Sequence, residues 1–157
     1  DPFLSERQSV DVNAVVREAR QNPHDVELMY TFRFPDYAHG IYPPRRYPLH
    51  QAILLRLPVN AIEALSCPTA LRKTYNYNTT LDFALFRHHH HTSSSWDVVM
   101  LLLKKDPYPA LKMNRHGCAV LYKLFEEKAP FELILQLVST CPDVVKQKDW
   151  RDHKYTA

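Results

Sequence analysis

Amphipathic runs of about ten residues, each ended by a proline, recur along the chain. The runs are VNAVVREARQNP, VNAIEALSCP, WDVVMLLLKKDP and FELILQLVSTCP, which end at Pro23, Pro68, Pro107 and Pro142. Their apolar residues recur three or four positions apart, as expected for one face of a helix. Proline ends a helix because its ring replaces the amide hydrogen. The pattern therefore predicts helices at about 11–21, 59–66, 96–105 and 131–140, which we call the B helices.

A second kind of apolar segment precedes each of the last three B helices. These segments begin near Tyr47, Thr79 and Ala119, and another begins near Tyr155, so that successive starts are 32, 40 and 36 residues apart. The longest step contains the low-complexity insertion RHHHHTSSS. The segments predict helices at about 48–57, 80–87 and 120–127, which we call the A helices. Because one short A–B pair cannot bury its apolar stripe alone, successive pairs are expected to stack.

The period and the A-helix segments resemble the ankyrin repeat, whose first helix begins with Thr-Pro-Leu-His-x-Ala. Residues 47–52 (YPLHQA) agree with this motif at four of six positions, and residues 79–84 (TTLDFA) agree at three. Asn114, Gly117 and Leu121 fall where the family has its loop Asn, hairpin Gly and Leu. The resemblance covers about residues 10–157. It implies an all-α, helix-turn-helix solenoid of about three and a half stacked repeats that acts as a non-catalytic protein-binding module or scaffold.

The expected organisation is an N-terminal tail over 1–9 and an ankyrin-like repeat domain over 10–157, truncated at the start of a further repeat. The proline-rich segment 30–46 is too long for the family's short hairpin and is interpreted as an inserted loop. Residues 88–95 are interpreted as a His/Ser-rich loop between helices. With two Gly against twelve Pro in the chain, most of the family's hairpin glycines are missing. Positions of positive φ are costly without glycine, so shortened or irregular hairpins are expected.

Composition and charge disfavour several other functional classes. The net charge is only +3, with a pI near 8.8, and the basic residues are scattered, so nucleic-acid binding is not expected. Cys67, Cys118 and Cys141 form no Cys-x-x-Cys pair, which favours reduced thiols in an intracellular, cytoplasmic protein. Cys67 and Cys141 each precede a helix-ending proline and are expected to be small buried residues. No apolar run reaches about 18 residues, so no membrane span is expected.

Histidines are the most conspicuous candidates for chemistry. His50 has no carboxylate or nucleophile at a constrained spacing, and Asp82 and Tyr122 occupy its equivalent positions, so a structural role is predicted. Imidazoles bind zinc or nickel, but the adjacent histidines 88–91 lie on one loop, whereas a closed metal site draws its ligands from separated positions. We therefore expect no catalytic residue, no metal site, no cofactor and no small-molecule substrate.

Arginine and aromatic residues concentrate in the connectors between a B helix and the next A helix. Such side chains most often anchor protein interfaces. The candidate partner-binding residues are Arg45, Arg46, Tyr75, Tyr77, Arg115, His116, Trp150 and Arg151. In a solenoid these connectors line one edge, where they and the adjoining face of the A helices meet a protein partner. Two alternatives stay open: a regulatory repeat region attached to a catalytic domain outside this chain, and a nucleic-acid-binding helical repeat whose binding weakens steeply with salt.

Overall fold

The computed structural model describes residues 10–32, 45–74, 79–86, 94–113 and 119–147, and this part of the chain is mostly helical. Its helices are α1 Val12–Gln21, α2 Pro48–Leu54, α3 Val59–Leu65, α4 Pro68–Arg72, α5 Thr80–Phe86, α6 Ser94–Lys105, α7 Val120–Glu126 and α8 Phe131–Thr140. It also contains the 3₁₀ turns Asp25–Glu27, Tyr108–Leu111 and Pro142–Lys146, and the short strands β1 Tyr30–Thr31 and β2 Arg45–Arg46. The expected all-α class is confirmed at this level. The chain divides into two compact units, Asp1–Ala70 and Leu71–Ala157.

The helices lie close to their predicted positions. The B helices are α1, α3, α6 and α8, and the A helices are α2, α5 and α7. α8 has the predicted bounds, whereas α2 ends three residues and α7 one residue earlier than predicted. α5 is described as far as Phe86, and residue 87 lies outside the described part of the chain. α6 begins at Ser94, two residues before the expected start. Residues 94 and 95 therefore belong to a helix and not to the predicted loop, whose remainder over 88–93 lies outside the described residues.

The first unit is built around α3, which packs against both α1 and α2. Ala61 and Ile62 of α3 and Leu49 of α2 are fully buried, as the apolar spacing of these helices predicts. Pro48 begins α2, where its missing amide hydrogen costs nothing because the first helical amides have no partner within the helix. The first unit therefore takes its core from the faces that the sequence marks as apolar.

The turn from an A helix to a B helix has the same backbone geometry in the two units. Arg56 after α2 and Lys128 after α7 both have a φ of 54°, in the left-handed region. The next amide, of Leu57 or of Ala129, donates to an A-helix carbonyl at 2.9 Å in each turn. Both turns are Schellman caps, which usually carry glycine at the left-handed position. Here arginine and lysine occupy that position, at a conformational cost that glycine would avoid.

The second unit contains two helix pairs that stack with like elements facing each other. α5 contacts α7, α6 contacts α8, and the turn Tyr108–Leu111 contacts the turn Pro142–Lys146. The two turns bury equivalent residues, Pro109 and Val144, each two positions after the proline that follows its B helix. A proline begins this step in each pair, because it ends the B helix and directs the chain into the 3₁₀ turn. Successive pairs in this unit thus bury corresponding faces.

The predicted inserted loop over 30–46 is closed at its base by a short antiparallel pairing. Tyr30 pairs with Arg46, and Thr31 pairs with Arg45. The Arg45 guanidinium also donates to the carbonyl oxygen of Met29 at 2.8 Å. The two ends of the segment are therefore paired strands, while residues 33–44 lie outside the described part of the chain.

Candidate protein-binding site

The two described members of the predicted binding row face opposite ways. Successive side chains of a strand point to opposite sides, and in β2 Arg45 is exposed while Arg46 is buried, at 6% exposure. Its burial removes Arg46 from the predicted binding surface, which is a correction to the prediction. The remaining candidates lie outside the described residues: Tyr75, Tyr77, Arg115, His116, Trp150 and Arg151.

His50 has a defined structural role inside the first unit. Its side chain is 1% exposed, and its Nε2 atom lies 3.2 Å from the carbonyl oxygen of Ala70 in α4. A carbonyl oxygen only accepts hydrogen bonds, so Nε2 carries the hydrogen. The Tyr47 ring packs edge-on against the imidazole, with 5.6 Å between the ring centroids. The predicted structural role of His50 is confirmed, because the side chain joins the start of α2 to the backbone of α4.

Burial also fixes the protonation state of His50. The pKa of the imidazole is lowered from 6.5 to about 4, mainly by burial and in part by the positive charge of Arg46, whereas the Ala70 hydrogen bond acts in the opposite direction. At neutral pH the ring is therefore uncharged. Its Nε2–H group donates the hydrogen bond to Ala70 that links α2 to α4.

Asp82, at the position of His50 in the next A helix, forms a helix cap. The amide and hydroxyl of Thr79 both donate to Asp82 Oδ2, at 2.7 and 2.8 Å, and the Asp82 amide donates to Thr79 Oγ1 at 3.1 Å. This reciprocal arrangement is a capping box. Burial raises the pKa of the Asp82 carboxyl, although the Thr79 hydrogen bonds oppose that rise. The Asp82 carboxylate therefore caps the N-terminus of α5.

The two described cysteines fill equivalent buried positions after their B helices. Cys67 and Cys141 are free thiols at 5% and 8% exposure, as predicted for small buried residues. The Cys67 sulfur accepts a hydrogen bond from the Ala70 amide at 3.4 Å. Burial raises the pKa of both thiols, which disfavours the thiolate that a nucleophile or metal ligand requires. Cys118 lies outside the described residues.

The described residues contain no group of three or more His, Cys, Asp or Glu side chains that could hold a metal ion. The histidines at 88–91 lie outside that part of the chain. Among the described helices, none combines the length and apolar character that crossing a membrane requires.

Five large apolar side chains are exposed on the last helix pair and on the turn that follows it. We call this set the end face, and its members are Tyr122 and Phe125 of α7, Phe131 and Leu135 of α8, and Val145. Phe125 is 60% exposed, whereas Leu85, its equivalent in α5, is 2% exposed. α5 is covered by α7, and within the described residues no further helix pair covers α7. Periodicity marks both positions as apolar but does not indicate which pair is outermost.

The chain has no match among models of known protein families, among curated proteins or among solved structures.

Proposed function

We propose that this chain is a non-catalytic protein-binding module built from ankyrin-like helix pairs. Recognition uses the connectors that follow the B helices, together with the adjoining face of the A helices. The proposed contact residues are Arg45, Tyr75, Tyr77, Arg115, His116, Trp150 and Arg151. A protein partner is favoured over a nucleic acid because the net charge is only +3 and the basic residues are dispersed along the chain.

The observation that carries this proposal is the repeated use of one helix pair with exchangeable residues at its A-helix marker. His50, Asp82 and Tyr122 occupy one equivalent position. The two that are buried make structural hydrogen bonds, His50 to the backbone of α4 and Asp82 within the cap of α5. A reacting group would not tolerate exchange between an imidazole, a carboxylate and a phenol. Repeat arrays maintain their core in this way while surface residues vary to fit a partner.

Exposed aromatic residues on an A helix support the second part of the proposed surface. Tyr122 and Phe125 lie three residues apart on α7, on neighbouring positions of the helix surface, and are 42% and 60% exposed. Aromatic side chains bury large areas at little entropic cost when a partner binds. Their exposure is therefore consistent with recognition along the A helices.

The proposal is tested by removing connector side chains and comparing partner capture. One variant carries Arg45→Ala, Tyr75→Ala, Tyr77→Ala and Arg115→Ala. A matched control carries Arg17→Ala, Arg20→Ala, Lys104→Ala and Lys105→Ala, which removes charged side chains from the B helices. Both variants should retain the circular dichroism spectrum of the wild type. Captured proteins are identified by quantitative mass spectrometry, purified, and titrated against all three chains by calorimetry.

We expect a purified partner to bind the wild type and the control equally and to lose at least about ten-fold in affinity for the connector variant. Equal binding to all three chains would reject the connector surface. A preference for RNA or DNA, with binding that weakens steeply as salt is added, would reject a protein partner in favour of a nucleic acid.

A further inference from the structure

A buried carboxylate follows α6 at a position where two other B helices have a cysteine. Asp106 directly precedes the proline after α6 and is 9% exposed, whereas Cys67 and Cys141 hold the same position after α3 and α8. Burying a carboxylate costs free energy unless hydrogen bonds or an opposite charge compensate it. The contacts of Asp106 therefore show what offsets that cost.

Asp106 brings an exposed arginine and an exposed tyrosine to one place. Its Oδ2 accepts a hydrogen bond from Arg72 Nε at 2.7 Å, and its Oδ1 accepts one from the amide of Tyr108 at 3.1 Å. The Arg72 side chain is 68% exposed, and Tyr108 is 57% exposed. The amide hydrogen bond needs only a neutral acceptor, such as Asn22 could supply at the equivalent position after α1. The charge of Asp106 is therefore matched to Arg72.

The groups around Tyr108 form a small basic surface. The Arg72–Asp106 hydrogen bond uses Nε, and within the described residues no hydrogen bond uses the two Nη groups of Arg72. Lys112 Nζ lies 5.7 Å from the centroid of the Tyr108 ring, and Lys73 is exposed beside Arg72. Neither lysine forms an ion pair with another described residue. We call Arg72, Lys73, Tyr108 and Lys112 the basic patch.

The turn after α8 also has a basic residue, but its charge is already paired. Lys146 ends the turn Pro142–Lys146, and its Nζ lies 2.6 Å from Oδ1 of Asp143 in the same turn. The segments that carry the basic patch, Pro68–Arg72 and Tyr108–Leu111, contain no carboxylate. The cations of the basic patch can therefore pair with an acidic group from another molecule, and Lys146 provides an internal comparison.

We propose that the basic patch binds an acidic segment of a partner protein, with a carboxylate on the Nη groups of Arg72 and an apolar residue against Tyr108. The two oxygens of a carboxylate match the fork of a guanidinium, and Asp106 holds that fork in place before binding. The inference rests on the protein-binding function proposed above and names the chemistry of the partner. It uses none of the connector residues of that proposal, so each can fail separately.

The size of the basic patch favours a carboxylate over a nucleic acid. The patch contains three cations, and the negative charge of Asp106 offsets one of them. A nucleic-acid surface needs a longer stripe of Lys and Arg that follows successive phosphates. A positioned guanidinium beside an exposed tyrosine instead suits a single carboxylate next to an apolar side chain.

The test uses short fluorescein-labelled peptides and the full chain. One peptide has the sequence Glu-Leu-Glu at its centre in a glycine–serine background. Two control peptides have glutamine or lysine in place of both glutamates. Binding is followed by fluorescence anisotropy at low salt, because salt screens exposed charges. NMR chemical-shift changes of ¹⁵N-labelled protein locate the site.

Lys112→Glu reverses one charge of the basic patch, and Lys146→Glu is the matched control because it changes the net charge by the same amount. We expect saturable binding of the glutamate peptide that Lys112→Glu weakens by at least about ten-fold and Lys146→Glu changes far less. The glutamine peptide should bind more weakly, and the lysine peptide should gain affinity for Lys112→Glu. In the wild type, the shift changes should cluster around Arg72, Tyr108 and Lys112.

Asp106→Asn tests whether Arg72 is positioned for a ligand. The variant keeps an acceptor for the Tyr108 amide but removes the charge that holds Arg72. It should bind the glutamate peptide more weakly than the wild type, although its net charge is more positive. Equal or tighter binding would show that Arg72 and Asp106 form only a structural ion pair, and would overturn the assignment of Arg72.

Absence of binding, equal binding of the glutamine peptide, or shift changes elsewhere would overturn the proposal. Tighter binding of a single-stranded RNA of the same length would assign the basic patch to a nucleic acid instead. A captured partner protein that loses affinity for the connector variant but not for Lys112→Glu would leave the proposed function intact and overturn this inference alone.

Discussion

Acid should destabilise the first unit through His50, and a single substitution isolates this effect. Burial lowers the pKa of the folded imidazole from 6.5 to about 4. As the pH falls below 6.5, the imidazole of the unfolded chain binds a proton and that of the folded chain does not, so the free energy of unfolding decreases. The contribution of His50 to stability is fully present above pH 6.5, and it is lost as the pH falls through 6.5 towards 4.

The size of the effect follows from the two pKa values. They differ by about 2.5, and each unit corresponds to about 1.4 kcal/mol, so the complete loss is about 3.5 kcal/mol. About 3 kcal/mol of it is expected by pH 4, where the folded imidazole is itself half protonated. Solvent screens this electrostatic effect only weakly, since His50 is 1% exposed. Asp82 acts in the opposite sense: its pKa is raised, so its contribution is present at low pH and is lost as the pH rises.

His50→Gln keeps a donor near the position of Nε2 but removes the titrating group. Urea unfolding followed by circular dichroism, at several values between pH 4 and pH 7.5, gives the free energy of unfolding of both chains. The wild type should lose about 3 kcal/mol more than the variant over the range from pH 6.5 to pH 4. Other titrating groups, including Asp82, are shared and cancel in this difference. Parallel curves for the two chains would refute the buried, neutral imidazole.

Three further predictions concern stability and are measured by the same urea titration. Leu49→Ala and Leu81→Ala should each cost about 2–5 kcal/mol because both leucines are buried, whereas Leu135→Ala, at a half-exposed position, should cost far less; equal losses would contradict the burial. Thr79→Ala should cost about 0.5–2 kcal/mol through loss of the capping box, with Thr79→Ser as the conservative control, and no loss would argue against the cap. Arg56→Gly should stabilise the chain by up to about 1 kcal/mol, since glycine adopts the left-handed φ without strain, and a loss of stability would argue against that conformation.

The helices and much of the core could be predicted from the sequence because each depends on local pattern. Apolar residues at helical spacing, with a proline after each B helix, are sufficient to locate α3, α6 and α8. Alignment of the A-helix segments predicts that Leu49 and Leu81 are buried, and both are. The positions of Cys67 and Cys141 before a helix-ending proline likewise indicate their burial, which the structure confirms.

The features that could not be predicted depend on tertiary context or on rare backbone conformations. α2 ends earlier than predicted because Arg56 adopts a left-handed φ. An arginine in the sequence does not indicate this conformation, whereas a glycine would. β1 and β2 are two residues each and far apart in sequence, so neither the pairing nor the burial of Arg46 has a periodic signature. The identity of the end-face residues depends on how the last helix pair packs, and local residue patterns do not show this.

The central claim is that one helix-pair geometry recurs in the chain, and an experimental structure tests it through the two A-to-B turns. Superposition of residues 47–65 on residues 119–137 should bring both helices of each pair into coincidence, with Arg56 and Lys128 both at a φ near 54°. A negative φ at either residue, or A and B helices that pack differently in the two segments, would contradict the claim.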